Sequence, residues 1–328
     1  MSKTKFVVGA VTVAVAAGLV WHFAGNKEAT SPVTSAVEQV VNPRAALEAK
    51  SAELVKNFEA YLAGTEQAGS YQWESITTLD DGSARLNNVT YKAPNTSAEE
   101  ALKFKSFDLQ KMTYTPDLYE QKVSFEGLSN AQGKSIVQEA LSEDSTYQDL
   151  GYTGNLALAD GEFDLTHDVK NNKASMNILF KQADFLNINV DFAGTQLNEF
   201  LDVVTKTSEQ ELEKDPMKLV AALSPALIEK LAIRFEDTGM MGRVQKSPDA
   251  AKVSVQECQL GLMMVGVSLD DSVCTNLTSF INGEQKQLKM SINPAQPLSV
   301  SKVMFDMASP TPESIAALIK ELNLKVEN

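Results

Sequence analysis

The sequence predicts an α+β protein: an antiparallel β-sheet, with breaks that admit curvature, carrying packed helices and preceded by one N-terminal transmembrane helix. Three observations predict it. Residues 6–23 form an apolar run without a single Asp, Glu, Lys or Arg. Residues 71–194 are dominated by period-two alternation of apolar and polar side chains, with turn signals between the runs. Segments of helical period flank that region on both sides.

The first element follows Met1-Ser-Lys-Thr-Lys5 and reads FVVGAVTVAVAAGLVWHF. Eighteen helical residues span about 27 Å, close to the hydrocarbon thickness of a bilayer. Lys3 and Lys5 place the N-terminus in the cytoplasm, with Trp21 and His22 at the far interface and the body outside. A cleaved signal peptide is the alternative, because Val15-Ala16-Ala17 supplies a small-residue site after a short apolar region; a buried helix is a third. No lipobox cysteine follows. Residues 1–25 are thus an anchor or signal segment, and residues 26–43, small and polar with two prolines, a linker.

A helix is expected over 44–63, from Leu47, Leu54, Phe58, Tyr61 and Leu62 at helical spacing before Gly64. A hairpin follows, with Tyr71, Trp73 and Ile76 before a Leu79-Asp-Asp-Gly82 turn. Three related octets come next: ARLNNVTY at 84–91, FDLQKMTY at 107–114 and VSFEGLSN at 123–130. Each has apolar residues at positions one, three and six, so a bulge or bend between the pairs is needed to keep one face inward. A helical stretch is expected over 131–141. Alternation then resumes through Leu156, Leu158, Phe163, Leu165, Met176, Ile178, Phe180, Phe185, Ile188, Val190 and Phe192, with turns expected at Asp160-Gly161 and Asn171-Asn172. Together 44–195 form a β-rich domain with flanking helices.

Residues 196–328 read as a mixed region. Helices are expected at 197–205 and 217–223, the latter opened by Pro216, and a strand at 227–235. Two helices, 253–267 and 271–281, meet at a turn with Asp270 or Asp271 as N-cap. A strand at 287–292 ends at Asn293-Pro294. A last helix covers 313–322, and the tail adds a short strand.

Composition narrows the chemistry. The chain has 328 residues, 29 Lys+Arg against 43 Asp+Glu and a net charge of −14, which excludes nucleic acid as the main partner, since no basic stripe is present to release phosphate counterions. Two histidines and two cysteines exclude multi-His zinc sites and CxxC redox motifs, and no cofactor or metal is expected. Cys258 and Cys274 lie on the two consecutive helices, where a structural disulfide is expected over free thiols or a redox pair. His167 stands beside Asp168, but adjacent strand residues point to opposite faces, so a general-base couple is disfavoured against a core histidine.

The acidic run 209–213 and Asp270-Asp271 lack the ligand spacing of a calcium loop. Glu236-Asp237 could serve a hydrolase only with a partner carboxylate that sequence cannot place. Asn88, Asn95 and Asn276 open sequons that arise often by chance. Met240-Met241 and Met263-Met264 suit core or an adaptable apolar groove.

A short basic start, one anchor, a linker and octets such as ARLNNVTY and FDLQKMTY together resemble bacterial inner-membrane-anchored periplasmic proteins of the AsmA/LptC/YdgA kind. That resemblance implies a curved sheet with an apolar interior and a role in lipid handling or envelope assembly. It carries over no site residue. The expectation is a non-enzymatic, single-pass inner-membrane protein, held by residues 6–23, whose periplasmic body binds a lipid or an envelope protein. The inward residues Leu86, Val89, Leu109, Met112, Ile178, Phe180, Ile188 and Val190 are the candidate lining. A structural envelope protein without a ligand, and a carboxylate hydrolase, are the alternatives.

Overall fold

The computed structural model describes residues 43–64, 71–92, 97–142, 146–207, 214–247, 252–264, 270–308 and 311–328. Their strands are β1 (Tyr71–Gln72), β2 (Ser75–Thr78), β3 (Ala84–Tyr91), β4 (Leu102–Tyr114), β5 (Leu118–Leu128), β6 (Ala159–Asp168), β7 (Lys173–Lys181), β8 (Leu186–Thr195), β9 (Leu227–Asp237), β10 (Gln287–Ile292), β11 (Leu298–Ser299) and β12 (Lys325–Glu327). They join one open antiparallel sheet in the order β1-β3-β4-β5-β6-β7-β8-β9-β10-β12, with β2 beside β3 and β11 beside β9 at the ends of those strands. The sheet runs without a break past residue 195, because β8 and β9 pair from Leu186↔Asp237 to Thr195↔Leu227. This is the expected α+β class.

The octets behave as their pattern requires. Asn88 takes a positive φ of 51° in β3. The β4–β5 register shifts between Leu109 and Lys111, and the β5–β6 register between Phe125 and Leu128, where Gly127 has φ 69°. In every octet the irregularity falls in the polar middle, so the apolar residues on both sides of it stay on one face.

The helices are α1 (Pro43–Gly64), α2 (Ile136–Ser142), α3 (Thr146–Asp149), α4 (Asn198–Lys206), α5 (Pro216–Leu223), α6 (Met240–Val244), α7 (Val255–Met264), α8 (Asp271–Ile281), α9 (Val300–Ala308) and α10 (Pro312–Leu322). Helix α1 lies on β2, β3 and β4 and drives Phe58 and Tyr61 into the core, each 1% exposed. Phe58 meets Tyr71 edge-on at 5.5 Å and stacks with Phe107 at 5.9 Å, while Tyr61 stacks with Tyr119 at 5.3 Å. Burial pushes the Tyr71 and Tyr119 hydroxyls well above the usual tyrosine range. Asp270 caps α8 by accepting from the Ser272 N–H, as expected.

The structure departs from the sequence pattern at several points. Leu156 and Leu158 precede β6 in an irregular segment, held down by the fully buried Gln182, whose amide donates to the Ala157 carbonyl. The helix expected from 131 begins only at Ile136, because the Asn130 carboxamide oxygen accepts from the N–H groups of Gln132 and Lys134 and turns the chain first. The stretch 295–308, unassigned from sequence, forms β11 and α9. The anchor expected at 6–23 lies outside the described residues, among which no helix is long and apolar enough to cross a membrane.

Asp160-Gly161 is not a turn. Both residues lie inside β6, with Gly161 opposite Phe125 on one side and Phe180 on the other. The Phe125 ring occupies the space a Cβ at 161 would need, and the Leu179 carbonyl would stand 2.7 Å from that Cβ. Glycine is there for close approach, not for a bend. Gly161→Ala should therefore destabilise the protein by about 1–3 kcal/mol, read as a lower urea midpoint at unchanged m-value, and Phe125→Leu in the same chain should recover part of the loss.

Candidate functional site

Backbone register carries apolar side chains across one face of the sheet in parallel rows. One row runs Ala84, Leu109, Val123, Phe163, Ile178, Val190, Ile233, Met290 and Val326. The next runs Met112, Gln121, Leu165, Met176, Phe192, Leu231 and Ile292. Over β3–β6 these rows are closed: Leu109 is 0%, Val123 1%, Phe163 2% and Leu165 5% exposed. Beyond Ile178 the shelter thins. Met176, Val190, Phe192, Leu231, Ile233, Met290 and Ile292 are all only half-buried.

Helices stand at both ends of this strip. At one end Phe192 packs with Leu197, Phe200, Leu201 and Leu223, from α4, α5 and the turn before α4. At the other, Phe280 of α8 lies 6.4 Å from the Phe235 ring, with Met240 buried beside it in the main core. The strip crosses four strands, β7 to β10, which is about 15 Å at ordinary strand spacing. Exposed large apolar side chains gather on the helices of the same half: Met217 on α5, Phe305 on α9, and Leu260 and Met263 on α7.

Of the candidate lining residues, Leu86, Val89, Leu109, Met112, Ile178, Phe180 and Ile188 are buried by the chain's own side chains, the first four on the strands beneath α1 or next to them. Val190 alone stands at the opening. The residues that complete the strip, Leu231, Ile233, Met290 and Ile292, alternate visibly in LIEKLAIRF and QLKMSI. That alternation was a signal for strands; only the register shows that it continues the earlier rows.

The other candidates have structural partners. Cys258 and Cys274 form the disulfide that ties α7 to α8, with Cα atoms 5.7 Å apart; a crosslink of this loop length contributes about 3 kcal/mol on the chain-entropy view. Glu236 accepts from the Asn187 amide at 2.8 Å, and Asp237 accepts from the Met241 N–H at 2.9 Å. Asp271 accepts from the Gln259 amide. The Asn88 and Asn276 amides donate to Glu74 and to the Val326 carbonyl. Asn95 and the acidic run 209–213 lie outside the described residues. Among the described residues no group of three or more His, Cys, Asp or Glu is placed to hold a metal ion.

A family model described only as "Uncharacterized protein" matches residues 178–328, just under half of the chain and the half that carries the open strip. No curated protein matches the chain.

His167 is 5% exposed and its Nε2 lies 2.7 Å from the Asn198 carboxamide oxygen. The Asn198 amide donates to the Val169 carbonyl, which leaves its oxygen to accept and sets the proton on Nε2. Asp168 points the other way and accepts from Asn171. Burial holds the His167 pKa below its ordinary 6.5, with the Asn198 contact opposing. The unfolded chain therefore takes up a proton before the folded one. The stabilisation is whole above 6.5 and is lost as pH falls through the folded value. Unfolding free energy should fall as the pH drops below about 6.5, and His167→Gln should flatten that slope.

Proposed function

We propose that the protein is a non-enzymatic binding protein of the bacterial periplasm, held at the inner membrane by residues 6–23, and that it seats one apolar chain of a lipid on the strip formed by β7 to β10. The observation that carries this reading is the change of shelter along a single face: rows closed over β3–β6 stay apolar but half-open over β7–β10. An apolar grid left partly wet is costly unless something covers it, at about 25 cal/mol per Å². Met176 and Met290 sit in the grid, and methionine adapts to chains of differing shape. The strip's four-strand width suits one acyl chain laid across the strands.

The compartment is supported by two features. The Cys258–Cys274 bridge is of the kind that persists in oxidising surroundings, and the uncharged run behind Lys3 and Lys5 has the length and flank of an inner-membrane anchor.

Titration of the full chain with a fluorescent fatty acid tests the reading. Saturable binding is expected, weakened about tenfold or more by Ile233→Glu, which places a charge in the strip, and unchanged by Leu179→Glu on the opposite face. Both variants keep the N-terminal segment, so a difference between them reports the strip alone. Absence of saturable binding in the unmodified chain, with both variants folded, would favour a structural envelope protein without a ligand.

A further inference from the structure

The opposite, polar face of the sheet is organised by cross-strand ion pairs. Arg85 grips Asp108 with two hydrogen bonds of 2.7 Å, Lys111 meets Glu120 at 2.6 Å, Lys181 meets Glu162 at 3.2 Å, Lys289 meets Glu327 at 3.1 Å, and Lys230 pairs with Asp191. One row of this face runs Leu179, Asn189, Arg234, Lys289 and Glu327. In it Arg234 breaks the rule. Its neighbours are the neutral Asn189 and a second cation, Lys289, directly across the strand pair. Among the described residues no carboxylate lies within ion-pair reach of Arg234 or of Lys325.

Two like charges set opposite each other on neighbouring strands repel. Glu327 answers Lys289 on its far side, but among the described residues no acid answers Arg234, in a chain with acids to spare, −14 overall. The following row explains what the space is for. Asp191, Ala232, Ser291 and Lys325 stand side by side, and the small Ala232 and Ser291 leave a hollow beside the Arg234–Lys289 pair. The resulting cleft measures about 460 Å³ and is lined by four cations, Lys230, Arg234, Lys289 and Lys325, against two carboxylates, Asp191 and Glu327, each already paired.

We infer that this cleft binds a phosphate monoester group. Arg234 and Lys325 supply the two uncommitted positive charges, Ser291 a hydroxyl donor on the floor, and Lys289 a further donor once its tie to Glu327 is shared. A dianion cancels the excess charge of the lining and relieves the Arg234–Lys289 repulsion, and hydrogen bonds between charged partners are the strong ones. The guanidinium offers the planar fork that oxyanions prefer. The site lies on the face opposite the apolar strip and stands whether or not that strip holds a lipid.

The probes are inorganic phosphate, glycerol 3-phosphate and dihexanoyl phosphatidic acid as a monomer, titrated calorimetrically into the full chain at low salt. Saturable binding is expected, with affinity falling about tenfold in Arg234→Gln and in Lys325→Gln and further in the double variant. Arg234 is exposed, so the variant should fold. A second readout separates binding from folding: at a given phosphate concentration the rise in Tm should be smaller for Arg234→Gln than for the unmodified protein. Equal affinity for glycerol 3-phosphate and the short lipid marks a soluble ligand, and a clear preference for the lipid marks a headgroup. The inference is overturned if none of the probes binds saturably, or if they bind Arg234→Gln and Lys325→Gln as tightly as the unmodified chain.

Discussion

Because neighbouring strands pair in one antiparallel order from β3 to β10, most inward apolar residues are carried into register with apolar residues on the next strand, and the sheet acquires one face that water must not reach. A slip of one residue in any pair would turn that strand's apolar set to the wet side. The helices answer this constraint. Over the first strands the shelter is aromatic: Phe58 and Tyr61 of α1 interlock with Tyr71, Phe107 and Tyr119. The bulges in the second and third octets belong to the same economy, since each lets a strand shed a residue from the pairing without losing its inward side chains, and Asn88 at positive φ makes the corresponding break in the first.

The same continuity makes the later strands interesting. Rows that are dry beneath α1 pass, without changing character, into positions where Val190, Ile233 and Met290 are half-wet. The helices of this half, α4 and α5 at one border and α6 and α8 at the other, stand at the ends of the strands and leave the middle less covered. On the reverse side cross-strand ion pairs continue through Lys230–Asp191 and Lys289–Glu327, but among the described residues Arg234, beside Lys289, has none. Both departures from the sheet's own rules fall in the strands that follow Lys173, and sites where local rules are broken are where function is sought.

Much of this was readable from residues alone, and the limits have a physical cause. Alternation located most strands and all three octet breaks, because a period of two needs no partner to be seen. Helix α8 and its Asp270 cap were equally local, and the facing cysteines followed from two adjacent helices. Gly161 misled because glycine signals a turn in sequence but here makes room for Phe125, a residue brought beside it only by the β5–β6 pairing. Seven of the eight expected lining residues are covered by the chain's own side chains for a related reason. Alternation tells which side chains share a face, but not which part of that face a helix such as α1 will cover. Arg234 and Lys289 were invisible as a pair, since they come from strands separated by three helices and meet only through register.

Methionine supplies the most direct test of the partly open face, because three of its residues lie on these rows. Met112 is 3% exposed beneath the closed part, while Met176 and Met290 lie in the strip. Brief peroxide treatment of the folded protein, with sulfoxide quantified peptide by peptide, should oxidise Met176 and Met290 several-fold faster than Met112. Protection of Met176 and Met290 equal to that of Met112 would contradict the open strip and remove the basis for a ligand there.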